Sequence, residues 1–151
     1  MKTFTTTLFA IFASVTTLFA ASLYTSAEDR PISYNELPAD AQAFVDKYFA
    51  DEEISHIILD RDVISIDYKV TFTSGTKLEF YSNGTWKDVE TRNGVVPNDL
   101  VPQAIAEYVA KNYPNRKITE INRNHYYPEV TLNGGLELTF NRHYKLVDVD
   151  D

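Results

Sequence analysis

The chain has 151 residues with 14 basic and 22 acidic side chains, a net charge of −8, 44% hydrophobic residues and no cysteine. So acidic a surface disfavours nucleic acid and anionic lipid, which are themselves negative. Without thiols there is neither a disulfide nor a lipid-modified N-terminal cysteine, so stability has to come from a packed core.

Met1-Lys2 supplies a positive start, and Thr3 to Ala27 carries no charge. Leu8 to Ala13 and Leu18 to Ala21 are apolar, and Thr25-Ser26-Ala27 places small residues where a signal peptidase reads them. Residues 1–27 therefore read as a secretory signal peptide cut before Glu28, which predicts a periplasmic or secreted protein. A membrane anchor is the weaker reading. The run is diluted by Thr and Ser and is followed by Glu28-Asp29, whereas a spanning helix needs about 20 mainly apolar residues. Removing 27 residues leaves 124, enough for a sound core, and takes away only the charge of Lys2, so the net charge becomes −9.

Residues 28–36 read as a linker. Leu37, Ala41, Phe44, Val45 and Tyr48 then recur at helical spacing, with Pro38 suited to a first turn. Ile54 to Asp60 is a short strand and an edge candidate. Ile64, Ile66, Tyr68, Val70 and Phe72 alternate with polar residues, as on a half-buried strand. Ser74-Gly75 turns the chain into Thr76, Leu78 and Phe80, and Asn83-Gly84 signals a two-residue hairpin leading to Trp86 through Glu90. Residues 93–97 join a second helix, over Val101, Ile105, Tyr108, Val109 and Asn112, with Asn98 or Asp99 as N-cap and Pro114 as stop. Strands at Ile118 to Arg123, at Val130 and Leu132, at Leu136 to Phe140 and at Lys145 to Asp150 complete the chain.

The second half repeats the first. At an offset of 64, Pro38, Phe44, Val45, Lys47 and Ile57 fall on Pro102, Tyr108, Val109, Lys111 and Ile121. At an offset of 60, Val70, Gly75, Leu78, Phe80 and Asp88 fall on Val130, Gly135, Leu138, Phe140 and Asp148. Such periodicity means a duplicated supersecondary unit. The predicted fold class is α+β: a helix plus about four antiparallel strands, occurring twice, at residues 37–92 and 93–151. A lone unit of about 60 residues is marginal, so the copies share one antiparallel sheet with both helices on one face, in one integrated domain. The opposite face is left open.

The chemistry-bearing residues are sparse. His56, His125 and His143 lack metal spacing, and there is no Gly-x-Ser-x-Gly elbow, catalytic cysteine or Gly-rich loop before a helix. Asp88 with Glu90 and Asp148 with Asp150 pair on strand faces about 7 Å apart, and read as solvated strand ends. Asp51-Glu52-Glu53 and residues 148–151 lack the alternating ligands of a calcium loop. No catalytic residue, metal ligand or cofactor is assigned, and the expectation is that the protein is not an enzyme. One signal remains. If Leu78, Phe80 and Val89 face the helices, alternation sends Tyr81 and Trp86 to the open face, and likewise Tyr127, Tyr144 and Leu146 in the second copy. Set among Lys69, Lys77 and Glu79, these aromatics have the makeup of a binding surface.

Val70 to Phe72, Gly75-Thr76-Lys77-Leu78-Glu79-Phe80 and Asn83-Gly84-Thr85-Trp86-Lys87-Asp88-Val89 together resemble the PepSY-like, β-lactamase-inhibitor-like family. These are small secreted proteins of Gram-negative bacteria, many from Bacteroidetes. The resemblance extends from about Leu37 to the C-terminus. It implies a fold like that of β-lactamase inhibitory protein, whose concave sheet face and loops grip an enzyme, and it implies periplasmic residence. It does not carry inhibition over, because the inhibitors have disulfides and an enzyme-inserting loop. The function expected is a periplasmic, non-enzymatic, inhibitor-like binding module that engages an envelope protein or peptide through its open sheet face. The alternative is a small-ligand or envelope-sensing module for a sugar, peptidoglycan fragment or cation. A hydrolase using the strand-face carboxylates ranks last.

Overall fold

The computed structural model describes residues 29–62, 64–123 and 126–151, so the predicted signal peptide, its cleavage before Glu28, and His125 lie outside the described residues. A single antiparallel sheet runs through the described chain, each strand hydrogen-bonded to its predecessor. Its strands are β1 (Arg30–Pro31), β2 (Ile54–Arg61), β3 (Ile66–Phe72), β4 (Lys77–Tyr81), β5 (Trp86–Glu90), β6 (Ile118–Asn122), β7 (Glu129–Leu132), β8 (Glu137–Phe140) and β9 (Leu146–Asp150). Helix α1 (Ala39–Tyr48) precedes β2, and α2 (Gln103–Asn112) precedes β6. β5 and β6 join the halves, Val89 opposite Ile121.

Both helices start on a proline. Pro38 and Pro102 occupy the N-cap positions, where a missing N–H leaves nothing unsatisfied. Asn98 and Asp99 do not cap α2. They form a 3-10 turn, Asn98–Leu100, and Val101 then runs extended, the conformation that a following proline favours.

Each helix presses a narrow apolar stripe onto the sheet. Ala41 and Val45 of α1, and Ile105 and Val109 of α2, are buried against Val70, Phe72, Leu78, Phe80 and Val89 and against Ile121, Val130, Leu132, Leu138 and Phe140. Phe44 meets Phe80 edge-on at 5.5 Å, and Tyr108 meets Phe140 edge-on at 5.6 Å. The predicted alternation of β3 holds at Val70 and Phe72, but Ile64 and Ile66 are 94% and 40% exposed. A ten-residue helix is only about 15 Å long, so the far end of β3 projects beyond its cover. Nor is β2 a bare edge. Arg30 and Pro31, expected in a linker, pair with Leu59 and Ile58.

The β4–β5 connection differs from the two-residue turn that Asn83-Gly84 suggests. The Gly84 N–H donates to the Tyr81 carbonyl at 2.8 Å, and the Tyr81 N–H to the Thr85 carbonyl at 2.9 Å. Only Gly84 takes a left-handed backbone (φ 85°), which is a three-residue loop closed by a residue with positive φ. A Cβ on Gly84 would stand 2.8 Å from Pro38 Cβ and 3.1 Å from the Ala41 nitrogen, because α1 starts against this turn. Gly84→Ala is therefore expected to lose roughly 1–3 kcal/mol of stability through strain and overpacking, readable as a lower urea midpoint. The β8–β9 loop has the same hydrogen bonds, Tyr144 N–H to the Asn141 carbonyl and Asn141 N–H to the Lys145 carbonyl. There the left-handed residue is Tyr144 (φ 56°).

Candidate functional site

The sheet has two unlike faces. One carries the core beneath the helices. On the other, register places Asp67 and Lys69 of β3 beside Glu79 and Tyr81 of β4, with Asp88 and Glu90 of β5 opposite Asn122 and Glu120 of β6. Glu129 and Glu137 continue it on β7 and β8. Both helices lie on the core side, so among the described residues no helix covers this second face.

Charge is unevenly compensated across it. Each lysine of β3 to β5 has a carboxylate partner: Lys69 with Asp60 at 2.5 Å, Lys77 with Glu90 at 2.8 Å, and Lys87 with Asp67 and Glu79 at 2.7 and 3.2 Å. Contact with Lys69 holds Asp60 below the usual carboxylate range. Strands β6 to β9 contain Glu120, Glu129, Glu137, Asp148 and Asp150 and no lysine or arginine. Asp88, at the join, is only 9% exposed, and its Oδ1 has no hydrogen-bond partner. Burial, then the charges of Glu120 and Glu79, push its carboxyl up to about 7. Glu120 is raised by burial, and also by Glu90 and Glu137, despite the Thr131 hydroxyl that donates to it at 3.2 Å. Burial, then Glu137, raises Glu129. Among the described residues no cluster of three or more acidic or histidine side chains is arranged to hold a metal ion.

The five predicted aromatic and apolar anchors do not share the open face. Lys69, Lys77, Glu79 and Tyr81 lie on it, with the Lys87 ammonium 5.9 Å from the centre of the Tyr81 ring. Trp86 does not. A bulge between Glu79 and Phe80 sets Trp86 opposite Phe80, so its ring turns to the helices and lies 6.0 Å from Phe44. An equivalent bulge between Thr139 and Phe140 sets Leu146 opposite Phe140, packed on the core. One added residue inverts strand parity, which alternation alone does not reveal. Tyr144 sits in the β8–β9 loop, and Tyr127, 52% exposed, stands before β7 beside Arg142 and His143. His56 and His143 are exposed.

Trp86 and Tyr144 come together elsewhere, in a cleft of about 570 Å³ on the helix side, where the two halves meet. Tyr48 completes its aromatic wall, Leu100, Val101 and Ile121 line it, and Arg123 and Arg142 also border it. The Arg123 guanidinium lies over the Trp86 ring at 5.2 Å. Sequence reasoning missed Arg123 and Tyr48, because neither belongs to a motif and their proximity to Trp86 is set by the fold. It also took Asp88 for a solvated strand end, whereas a central strand pair buries it.

The profile of the family described as "Putative beta-lactamase-inhibitor-like, PepSY-like" matches residues 66–148, which run from β3 into β9. The chain belongs to this family. Solved structures agree with the assignment. A "putative periplasmic protein from DUF2874 family" of Bacteroides vulgatus ATCC 8482 is similar at TM-score 0.78 and 38% identity, over 82% of this chain and 98% of the other. A "putative calcium-regulated periplasmic protein" of Bacteroides thetaiotaomicron is similar at 0.78 and 35% identity, over 82% and 97%. A periplasmic protein of unknown function, also from B. vulgatus, is similar at 0.78 and 32%, over 82% and 100%. A search of curated protein sequences finds no match. Among the described residues no helix is long and apolar enough to cross a membrane.

Proposed function

We propose that this protein is a periplasmic, non-enzymatic binding module that engages a basic segment of another envelope protein or peptide through the open face of its sheet. The observation that carries this reading is the carboxylate array on that face. Asp88, Glu120 and Glu129 are each held above their ordinary range by burial first and then by neighbouring carboxylates, among them Glu79, Glu90 and Glu137, and β6 to β9 supply no cation. A lysine- or arginine-rich partner relieves that repulsion, and opposite fields also speed encounter. The paired lysines of β3 to β5 would set register, with Tyr81 as an apolar contact. Periplasmic residence, with a signal peptide over residues 1–27, is supported by the descriptions of the similar structures. The chain is further read as two copies of one unit, residues 37–92 and 93–151, supported by the matching element order and by the paired bulges.

A lysine-rich decapeptide is the direct probe. Binding is expected to weaken steeply with salt, since exposed charges are screened within about 10 Å at 0.1 M. The triple substitution Glu120→Gln/Glu129→Gln/Glu137→Gln should weaken it at least ten-fold. Equal titration curves for both proteins would remove the open face as the site. A second reading places a divalent cation on these carboxylates, favoured by the unpartnered Asp88 Oδ1 and by the calcium-regulated description of one similar protein. Stoichiometric calcium binding that Asp88→Asn abolishes would put that reading first.

A further inference from the structure

We infer that the cleft bordered by Trp86, Tyr144 and Arg123 is a second binding site, for a small anionic ring compound: a carboxylated sugar or an aromatic carboxylate. It lies on the helix side of the sheet, opposite the acidic face, so it stands apart from the function proposed above.

Three observations carry the inference. The first is chemistry. Two guanidinium groups, Arg123 and Arg142, border the cleft, and among the described residues neither makes an ion pair. The nearby acid, Asp99, is already occupied, accepting from the Tyr48 hydroxyl at 2.7 Å and from Lys47 at 3.4 Å. Those contacts, with the Tyr48 hydroxyl foremost, hold Asp99 below the usual carboxylate range. In a chain of net charge −8, this is a local site for an anion. Arginine forks match a carboxylate in two hydrogen bonds.

The second is shape. Three aromatic rings, Tyr48, Trp86 and Tyr144, wall the cleft, Leu100, Val101 and Ile121 lie at its base, and polar groups make up the larger part of its lining. Its volume of about 570 Å³ falls within the roughly 300–1,000 Å³ of small-molecule pockets. Trp86 is pre-positioned by contacts with Phe44 at 6.0 Å and Arg123 at 5.2 Å, so little rotamer freedom remains to be lost on binding. A ligand ring lies against these aromatics while its carboxylate meets the guanidinium groups.

The third is backbone strain. Tyr144 is the one described non-glycine residue with positive φ, and it occupies the loop position that Gly84 fills in the first half. A bulky residue there costs on the order of 1–3 kcal/mol, and a glycine would serve the loop better. In the first half the glycine lets the turn close onto the start of α1. In the second, Tyr144 and Pro102 instead border the open cleft. Strain retained at a residue whose ring lines a pocket points to a role for that ring.

Trp86 is the sole tryptophan of the chain, so its fluorescence reports the site directly. The full chain would be titrated with digalacturonate and with phenylacetate, and with their neutral counterparts, the methyl ester and phenylacetamide. At least one anion should shift Trp86 emission saturably, and which one responds identifies the sugar or the aromatic source. The neutral counterparts, Arg123→Gln and Arg142→Gln should each weaken binding ten-fold or more. Tyr144→Gly should weaken it as well while raising Tm. No response to either anion, equal affinity for the neutral compounds, unchanged binding by both arginine variants, or a lower Tm for Tyr144→Gly would each overturn the inference. Because the acidic-face triple variant leaves the cleft intact, it should bind the anion as the wild type does, so the two proposals fail separately.

Discussion

Phe80→Ala and Phe140→Ala are each expected to destabilise the protein by about 3–5 kcal/mol, and to shift one common unfolding transition. Both rings are fully buried at the centre of their halves. Phe80 sits beneath Phe44 of α1, and Phe140 beneath Tyr108 of α2. Deleting either removes the transfer energy of the ring, its edge-on contact, and the support beneath a helix that holds the sheet by only two buried side chains and their flanking aromatics. Against a typical stability of about 5–15 kcal/mol, either loss brings the chain near its unfolding threshold at 37 °C. The pairing of β5 with β6 puts Val89 and Ile121 in one continuous core, so the halves should melt together. Urea unfolding would be followed by far-ultraviolet circular dichroism and by Trp86 fluorescence, which reports the packing of that ring on Phe44 of α1. Coincident curves that move equally for both variants are expected. A Phe140→Ala protein in which Trp86 keeps its wild-type midpoint would mean that the halves unfold separately.

The signals that reached through to the fold were those of long period. Ala41, Val45, Ile105 and Val109 at helical spacing named the buried stripes, and Val70, Leu78, Val130 and Leu138 named the buried faces of β3, β4, β7 and β8. What stayed hidden depended on single residues. The bulge ahead of Phe80 returned Trp86 to the helix side, and the one ahead of Phe140 did the same to Leu146; nothing in their local composition distinguishes a bulged strand from a regular one. Pairing by Arg30 and Pro31 was hidden for another reason, since two residues carry no periodicity. The acidic face was legible as composition but not as energetics. Asp88 and Glu90 are adjacent in pattern, yet only the arrival of β6 alongside β5 buries one of them. Arg123 and Tyr144 join Trp86 through loops from different parts of the chain, which no spacing rule connects.

Asp88→Asn is expected to stabilise the protein at pH 8 by on the order of 3 kcal/mol and to flatten its stability between pH 4 and 8. The carboxyl of Asp88 ionises near 7 in the folded chain, against an ordinary value of 3.8. Within that window the folded state holds a proton that the unfolded state releases. Stability is therefore greatest toward the acid end, falls as pH rises through the window, and levels off above about 7. The cause is geometric. Glu79 of β4 stands across from Asp88 on one side and Asn122 of β6 on the other, with Glu90 along its own strand and Glu120 on its neighbour. Burial and the three acidic charges outweigh the hydrogen bond from Asn122. Asparagine keeps the shape and the acceptor for Asn122, removes the buried charge, and offers two donors to the surrounding carboxylates. Glu120 and Glu129 are raised in the same direction, so a smaller slope should persist in the variant. Chemical denaturation at pH 4, 6 and 8 decides the matter. If Asp88→Asn proves neutral at pH 8, the carboxylate is already well compensated in the free protein, and the open face loses the repulsion that a basic partner would relieve. If the gain appears at pH 8 and vanishes at pH 4, the face is held in an unfavourable charge state by the fold itself, as a surface shaped for a cation would be.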